Sequence, residues 1–447
     1  MHIRGADMKI KVSFLALLLC ATPSFADVDG ASAATGAPSS LTRVVNVMKG
    51  YGVHAAPKCD GATDDSLAMQ AIITAAASNA RVLIPKGVVC RVHNLSLPSA
   101  SHLTIEGTLK APDGPMRTVV NIASGADGVT IDGSGVIDGN RANATVWPRA
   151  SAGGISSGPA ASNVVVRDVT IQHVLHWPLN IVGVSGCTLE RIVMRDGHNS
   201  PEMAAGTNNC WARHLDIEGI DHDGAWVFYK GVWNSGITDS ILKNGYVSGI
   251  ALYNDNGAQN LSHDIVIKNN EIYGMGKSCI DASVGRGGTN NHYHVTITGN
   301  KCYGNDTRGT HLGDFSLNAL ERSKISGNSS TAVGGATASP GFRIGGTSSE
   351  LEITENLILN PGPGGTLGVG FTLATTGPRI RIENNTVLDN QATRTTAYGF
   401  TGEVPPNSVI RNNAILNTIG GCGALTGPDA TTVSRIHKPC TASHHMQ

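Results

Sequence analysis

Six short segments in the second half of the chain are variants of one pattern: IVIKNNEIY (265–273), VTITGNKCY (295–303), SKISGNSST (323–331), LEITENLIL (351–359), IRIENNTVL (380–388) and SVIRNNAIL (408–416). Their shared asparagine falls at Asn270, Asn300, Asn328, Asn356, Asn385 and Asn413, in steps of 30, 28, 28, 29 and 28. A near-fixed period in this range, with one short strand pattern per repeat, marks an array in which each unit buries its apolar face against its neighbours. Within each copy aliphatic or β-branched residues recur at alternate positions, the period of a strand with one face buried. No helical pattern separates the copies, so each strand must pair with its counterpart in the next turn. The fold expected is all-β, a parallel β-helix, with one asparagine per turn placed to form a ladder along the stack.

Earlier repeats have shorter steps and less asparagine. NVVVRDVTI (163–171), CTLERIVMR (187–195), CWARHLDIE (210–218) and SGITDSILK (235–243) align on Val169, Ile192, His214 and Ser240. SHLTIEGTL (101–109) and DGVTIDGSGVIDG (127–139) fit the same template. About ten to twelve coils between residues 80 and 420 would make a rod on the order of 50 Å long at the usual strand spacing.

From Met8 the chain reads MKIKVSFLALLLCATPSFA: Lys9 and Lys11, a short apolar run, then small residues before Asp27. This is the pattern of a cleavable secretory signal ending at Ala26, and the apolar run is too short to span a bilayer. The expected product is secreted or periplasmic. Its formal charge moves from −1 to −3 on losing residues 1–26, which gives no global field for nucleic acid or an anionic membrane. An anionic ligand must therefore be held by local Lys and Arg. The expected organisation is a signal peptide (1–26), an N-terminal cap with first strands (27–100), the β-helix (101–420) and a C-terminal tail (421–447).

Export leaves eight of the nine cysteines in an oxidising compartment. Cys187 and Cys210 are one coil step apart and occupy the same place in successive repeats, so they are expected to pair. Cys59–Cys90 and Cys422–Cys440 would staple the two ends. The 23-residue spacing of Cys279 and Cys302 departs from the local step near 30 and argues against that pair.

Near the N-terminus, YGV (51–53), CDGATDDSLAMQAII (59–73) and VLIPKG (82–87) follow one another. This set resembles the opening of pectate-lyase-like right-handed β-helix proteins, a superfamily of polysaccharide lyases, glycoside hydrolases and tailspike-type depolymerases. Read physically, Asp64 or Asp65 caps a helix starting near Ser66, and Leu67, Ala68, Ile72 and Ile73 cover the open end of the stack. Asp60, Asp64 and Asp65 then belong to a structural cap rather than to a catalytic cluster. DGSGVIDGN (132–140) and the run from Asn163 to Met194 resemble the middle of polygalacturonase-type hydrolases.

That resemblance implies an N-T-D motif, a D-D pair one coil later and G-H-G after that. Here IDHDGAWVF (220–228) keeps Asp223 but has His222 for Thr; the next coil reads NGYVSGIALY (244–253), and GMGKSCIDA (274–282) puts Lys277 near the His position. Without the carboxylate pair, hydrolysis of that type lacks its acid and base. Tyr246, Lys277 and Asp223 instead suit β-elimination from a uronate, which needs a base, a proton donor and a cation to offset the carboxylate. The leading expectation is a polysaccharide lyase acting on an acidic polysaccharide or oligosaccharide, as monomer or homotrimer. The alternatives are a hydrolase using Asp223, Asp255 and Asp281, a C5-epimerase, and a non-catalytic polysaccharide-binding or adhesion rod.

Placing Gly224, Gly249 and Ser278 in register turns Val227, Leu252 and Ile280 inward and Trp226, Phe228, Lys230, Tyr253, Asp255 and Asp281 outward. With Arg286, His311 and Arg343 these form the expected sugar-binding floor. His292 and His294 have an H-x-H spacing suited to one strand face but no evident third ligand. No cofactor is required; Ca2+ could bridge two or three of Asp221, Asp223, Asp255 and Asp281.

Overall fold

The computed structural model describes residues 43–146, 153–254, 261–284, 290–331, 339–362, 368–391, 395–420 and 423–426. The expected signal peptide, Asp255, Arg286, Cys422 and Cys440 lie outside them. Three parallel sheets run the length of the repeat region, with 15, 14 and 13 strands. A turn of chain contributes one strand to each sheet in the same order, except that the first turn has the helix Ser66–Ala76 in place of a third-sheet strand and the turn at 292–298 gives the first sheet two short strands; the strand pairs are parallel. This is the expected β-helix, with more coils than the ten to twelve read from the repeats. The first sheet already starts at Val44–Asn46 and the second at Asp60–Asp64, in coils whose aliphatic pattern is too sparse to stand out.

The asparagine ladder is continuous. Each Asn side chain accepts from the backbone N–H one coil earlier and donates to a carbonyl of that coil: Asn300 Oδ1 takes Asn270 N at 3.0 Å, and Asn300 Nδ2 reaches Ile267 O at 2.9 Å. The same pair of bonds recurs through Asn413. Ser240 extends the row, its Oγ accepting Leu215 N at 3.0 Å. Leu215, not His214, therefore occupies the repeat position, because the aliphatic residue points into the core while His214 takes a left-handed turn at φ 53°. Replacing Asn300 with Ala strands a buried N–H and a buried carbonyl, and thermal or denaturant melting should show a loss of about 1–3 kcal/mol.

The end cap is helix Ser66–Ala76. Asp64 Oδ1 accepts Ser66 N at 3.0 Å, whereas Asp65 turns back and accepts Lys58 N and Cys59 N at 2.8 and 3.0 Å. Met69, Ile72, Ile73 and Ala76 are buried, but Leu67 is 89% exposed: the covering stripe begins at Met69.

Among the described residues three disulfides are formed, Cys59–Cys90, Cys187–Cys210 and Cys279–Cys302. The third overturns the argument from spacing. Cys302 belongs to the second sheet and Cys279 to the turn entering the third, so the bridge ties two different corners and need not match a coil step. Peptide mapping without reduction should recover all three bridges, and free thiols at Cys187 and Cys210 would contradict the coil register. Disulfides fit an oxidising compartment, and no helix among the described residues is long and apolar enough to cross a membrane.

Candidate functional site

The third sheet organises the site because its register fixes two faces. One row runs Trp226, Ile250, Ile280, Phe315, Phe342, Phe371 and Phe400. It points inward, and its last four rings stack at centroid distances of 4.3, 5.2 and 4.9 Å. The adjacent row runs Asn180, Glu202, Val227, Ala251, Asp281, Ser316 and Arg343 and points outward. Trp226 and Phe228 are thus core residues, fully buried. Ala225 bonds Ser248 O and Gly249 bonds Ser278 O, so Gly224 stacks on Ser248 rather than on Gly249. A slip of one residue exchanges the faces of a strand, which is why the sequence placed Val227 inside and the two aromatics outside.

A cleft of about 430 Å³ opens over this outward row. Val227 and Ala251 form its low floor between Glu202 and Asp281, while Tyr229 and Tyr253, stacked nearly parallel with centroids 6.0 Å apart, line one side. The other side comes from the turns entering the sheet: Asp223, Gly224, Val247, Ser248 and Lys277, with Trp177, Asn199 and Ser200 closing one end. Gly249 allows the middle turn to close, since a Cβ there would meet Ile272 Cγ2 at 2.3 Å and Cys279 O at 2.6 Å.

Glu202 is 9% exposed. Burial first, then the nearby Asp223 carboxylate, pushes its carboxyl up to about 7, against the pull of Lys230. Lys230 Nζ itself lies 4.6 Å from the centre of the Tyr229 ring. Burial also raises Asp281, opposed by a hydrogen bond from Ser316 and by Lys277, Ser283 and Arg343. Asp223 pairs with His222 Nδ1 at 3.2 Å. Asn199 Oδ1 and Ser248 Oγ are buried without a hydrogen-bond partner among the described residues.

The structure brings together Asp223, Lys277, Tyr253 and Asp281 from the sequence reading, with Lys230 beside them. Tyr246 is not among them. It lies one residue before Val247 and points to the other side of the corner, into a hollow with Asp221, Asn244 and Arg308, whose guanidinium sits 4.0 Å from the ring centre. Arg343 is two strands beyond Asp281 on the same row, its Nη1 3.3 Å from Asn318 Oδ1. His311 is exposed in the segment before the third sheet, at φ 61°, and does not line the cleft. Sequence reasoning missed Glu202, Trp177, Asn199 and Tyr229. Glu202 did leave a signal: it is the one charged residue in the run PEMAAG (201–206), one coil step before Val227.

The histidine pair does not chelate. His292 is fully buried, accepts Ser262 N at 3.3 Å and faces Ser283 O at 3.2 Å, and burial holds it down at about 4. His294 turns outward to Asp264 at 3.3 Å. Asp221 is tied to Arg141 and His198, outside the cleft, leaving Asp223 and Asp281 as the described acids of the expected calcium set that share it. Among the described residues the grouping of three potential metal ligands is Cys59, Asp65 and Cys90, and its cysteines are bonded to each other.

Residues 179–435 match the family described as the right handed beta helix region. The chain belongs to that family. No curated protein matches it in sequence. Among solved structures it is similar to the A-module of the Azotobacter vinelandii mannuronan C-5 epimerase AlgE6 (17% identity, 86% of this chain and 96% of that one, TM-score 0.53). It is also similar to the tailspike of E. coli bacteriophage HK620 in complex with a pentasaccharide (13%, 86% and 78%, TM-score 0.58) and to PfbA, a surface adhesin of Streptococcus pneumoniae (17%, 86% and 93%, TM-score 0.53). At these identities the likeness is one of fold.

Proposed function

We propose that the protein is a polysaccharide-cleaving enzyme whose chemistry is glycoside hydrolysis, with Glu202 as general acid and Asp223 as the partner carboxylate. The observation that carries this reading is a nearly buried carboxyl group and a second carboxylate lining one aromatic-walled cleft. Hydrolysis of a glycosidic bond uses a carboxyl group kept protonated, to serve the leaving oxygen, and another carboxylate to activate water or attack the sugar. Burial and the charge of Asp223 give Glu202 the first property near neutral pH. Tyr229, Tyr253 and Trp177 supply apolar faces for sugar C–H surfaces, and Asn199 and Ser248 supply polar atoms for hydroxyls.

Lys277 favours a second reading, elimination from a uronate, because a cation in the cleft can offset the sugar carboxylate as charge develops. Of the pair that the sequence offered for that chemistry, Lys277 lies in the cleft and Tyr246 does not; Tyr253 would be the available phenol. Neutral and uronate polysaccharides incubated with the purified protein, with and without Ca2+, separate the readings. New reducing ends without unsaturated-uronate absorbance support hydrolysis, and the absorbance band supports elimination. Altered uronate configuration without cleavage would indicate epimerisation, and binding without turnover a carbohydrate-binding rod.

A further inference from the structure

The segment from Gly304 to Asp314 is bonded to the cleft wall at several points, among them Thr307 N to Met275 O at 3.1 Å and Arg308 N to Gly276 O at 3.0 Å. Asp306 N donates to Lys277 O at 2.6 Å, and Ile280 N donates to Asp314 O at 2.9 Å. The bonds at Lys277 and Ile280 bracket the short stretch that leads into Asp281, and both Lys277 and Asp281 line the cleft. The strap is held from beneath by two carboxyl groups, both fully buried. Asp306 accepts Thr310 N, Thr310 Oγ1 and His311 N at 2.6, 2.7 and 3.0 Å, and also Ser339 Oγ. Asp314 meets Asn305 Nδ2 at 2.8 Å and Ser330 Oγ at 2.7 Å.

We propose that Asp314 is a positioning residue for the cleft: its protonated carboxyl group holds the strap closed, and ionisation of that group releases the backbone that aims Lys277 and Asp281. Its functional consequence rests on the cleft being the active site, although the strap geometry does not. Asn305 Nδ2 and Ser330 Oγ both donate to Asp314, and a neutral acid keeps these contacts without placing a charge in the core. As an anion it would be a buried charge facing a second carboxyl group, Asp306. The remaining charged neighbours lie elsewhere: Asp281 is on the opposite, outward face of its strand, and Arg308 and His311 are exposed on the strap. Burial first, with Asp306 adding to it, pushes Asp314 up to about 7, against the Ser330 and Asn305 hydrogen bonds.

Hydrogen exchange of the full chain tests this without substrate, so failure of the polysaccharide assay leaves the test intact. After correction for intrinsic rates, amides of 277–281 and 305–314 should exchange faster as pH rises from the ordinary carboxyl value of 3.8 to about 7, by up to about tenfold per unit, and level off above it, because opening over that range releases a proton. Asp314→Asn, which keeps shape and one donor–acceptor pair, should remove that dependence. Ser330→Ala should move it to higher pH, because the hydroxyl that donates to the carboxylate and opposes the upward shift is gone. A flat profile in the unaltered protein, or the same slope in Asp314→Asn, overturns the proposal.

Discussion

Replacing Glu202 with Gln is expected to cut turnover by about 10²–10⁴-fold, the range lost when a positioned general acid is removed. Gln is nearly isosteric but has no proton to give the leaving oxygen. The pH profile should change with it. Glu202 is raised from 4.5 to about 7, so the acid form declines as pH climbs through that value, and activity of the unaltered enzyme should fall on the alkaline side. The Gln variant's residual activity should lack this limb. Stability moves in a direction that helps the test. A carboxyl group raised in the folded state binds its proton more tightly there than in the unfolded chain. Its contribution is fully present below about 4.5 and is lost as pH rises to about 7. Gln removes that ionisation, so the variant should melt no lower than the parent at pH 8. Full activity in a folded Glu202→Gln protein would remove the hydrolytic assignment.

The parts of this molecule that could be read from the sequence are those repeated along the stack. The asparagine ladder was legible because six turns use the same side chain for the same two bonds, and the Cys187–Cys210 bridge because both residues sit at equivalent places in adjacent repeats. The site was less legible because it depends on face, and face on a register exact to one residue. On the two later coils the alternation was right: Tyr253 and Asp281 do face outward, with Leu252 and Ile280 inside. On the first coil Gly224 was matched to Gly249 instead of Ser248, so Trp226 and Phe228 were read as outward and Val227 as inward, the reverse of the structure. Glu202 escaped for a different reason. Its chemistry comes from burial and from Asp223, which arrives from the following coil, and neither is written in its own strand.

The same geometry separates two residues that the sequence treated as partners, and their variants should differ sharply. Lys277→Met is expected to lower kcat/KM by about 10²-fold or more on an acidic substrate, since the charge opposite a sugar carboxylate would be removed from a partly desolvated site. Met retains most of the apolar stem, and the strap's bond to the Lys277 carbonyl does not involve the side chain. Tyr246→Phe should leave turnover within about twofold, because that ring stands in a different hollow under Arg308 and only its hydroxyl is lost. The way the Lys277 effect divides is informative. A rise confined to KM makes the lysine a binder of sugar carboxylates, as the hydrolytic reading requires. A fall confined to kcat places it at the developing charge of an elimination. Equal activity of Lys277→Met and the parent, with Tyr246→Phe inactive but folded, would move the reaction centre out of this cleft to the corner that Tyr246 occupies.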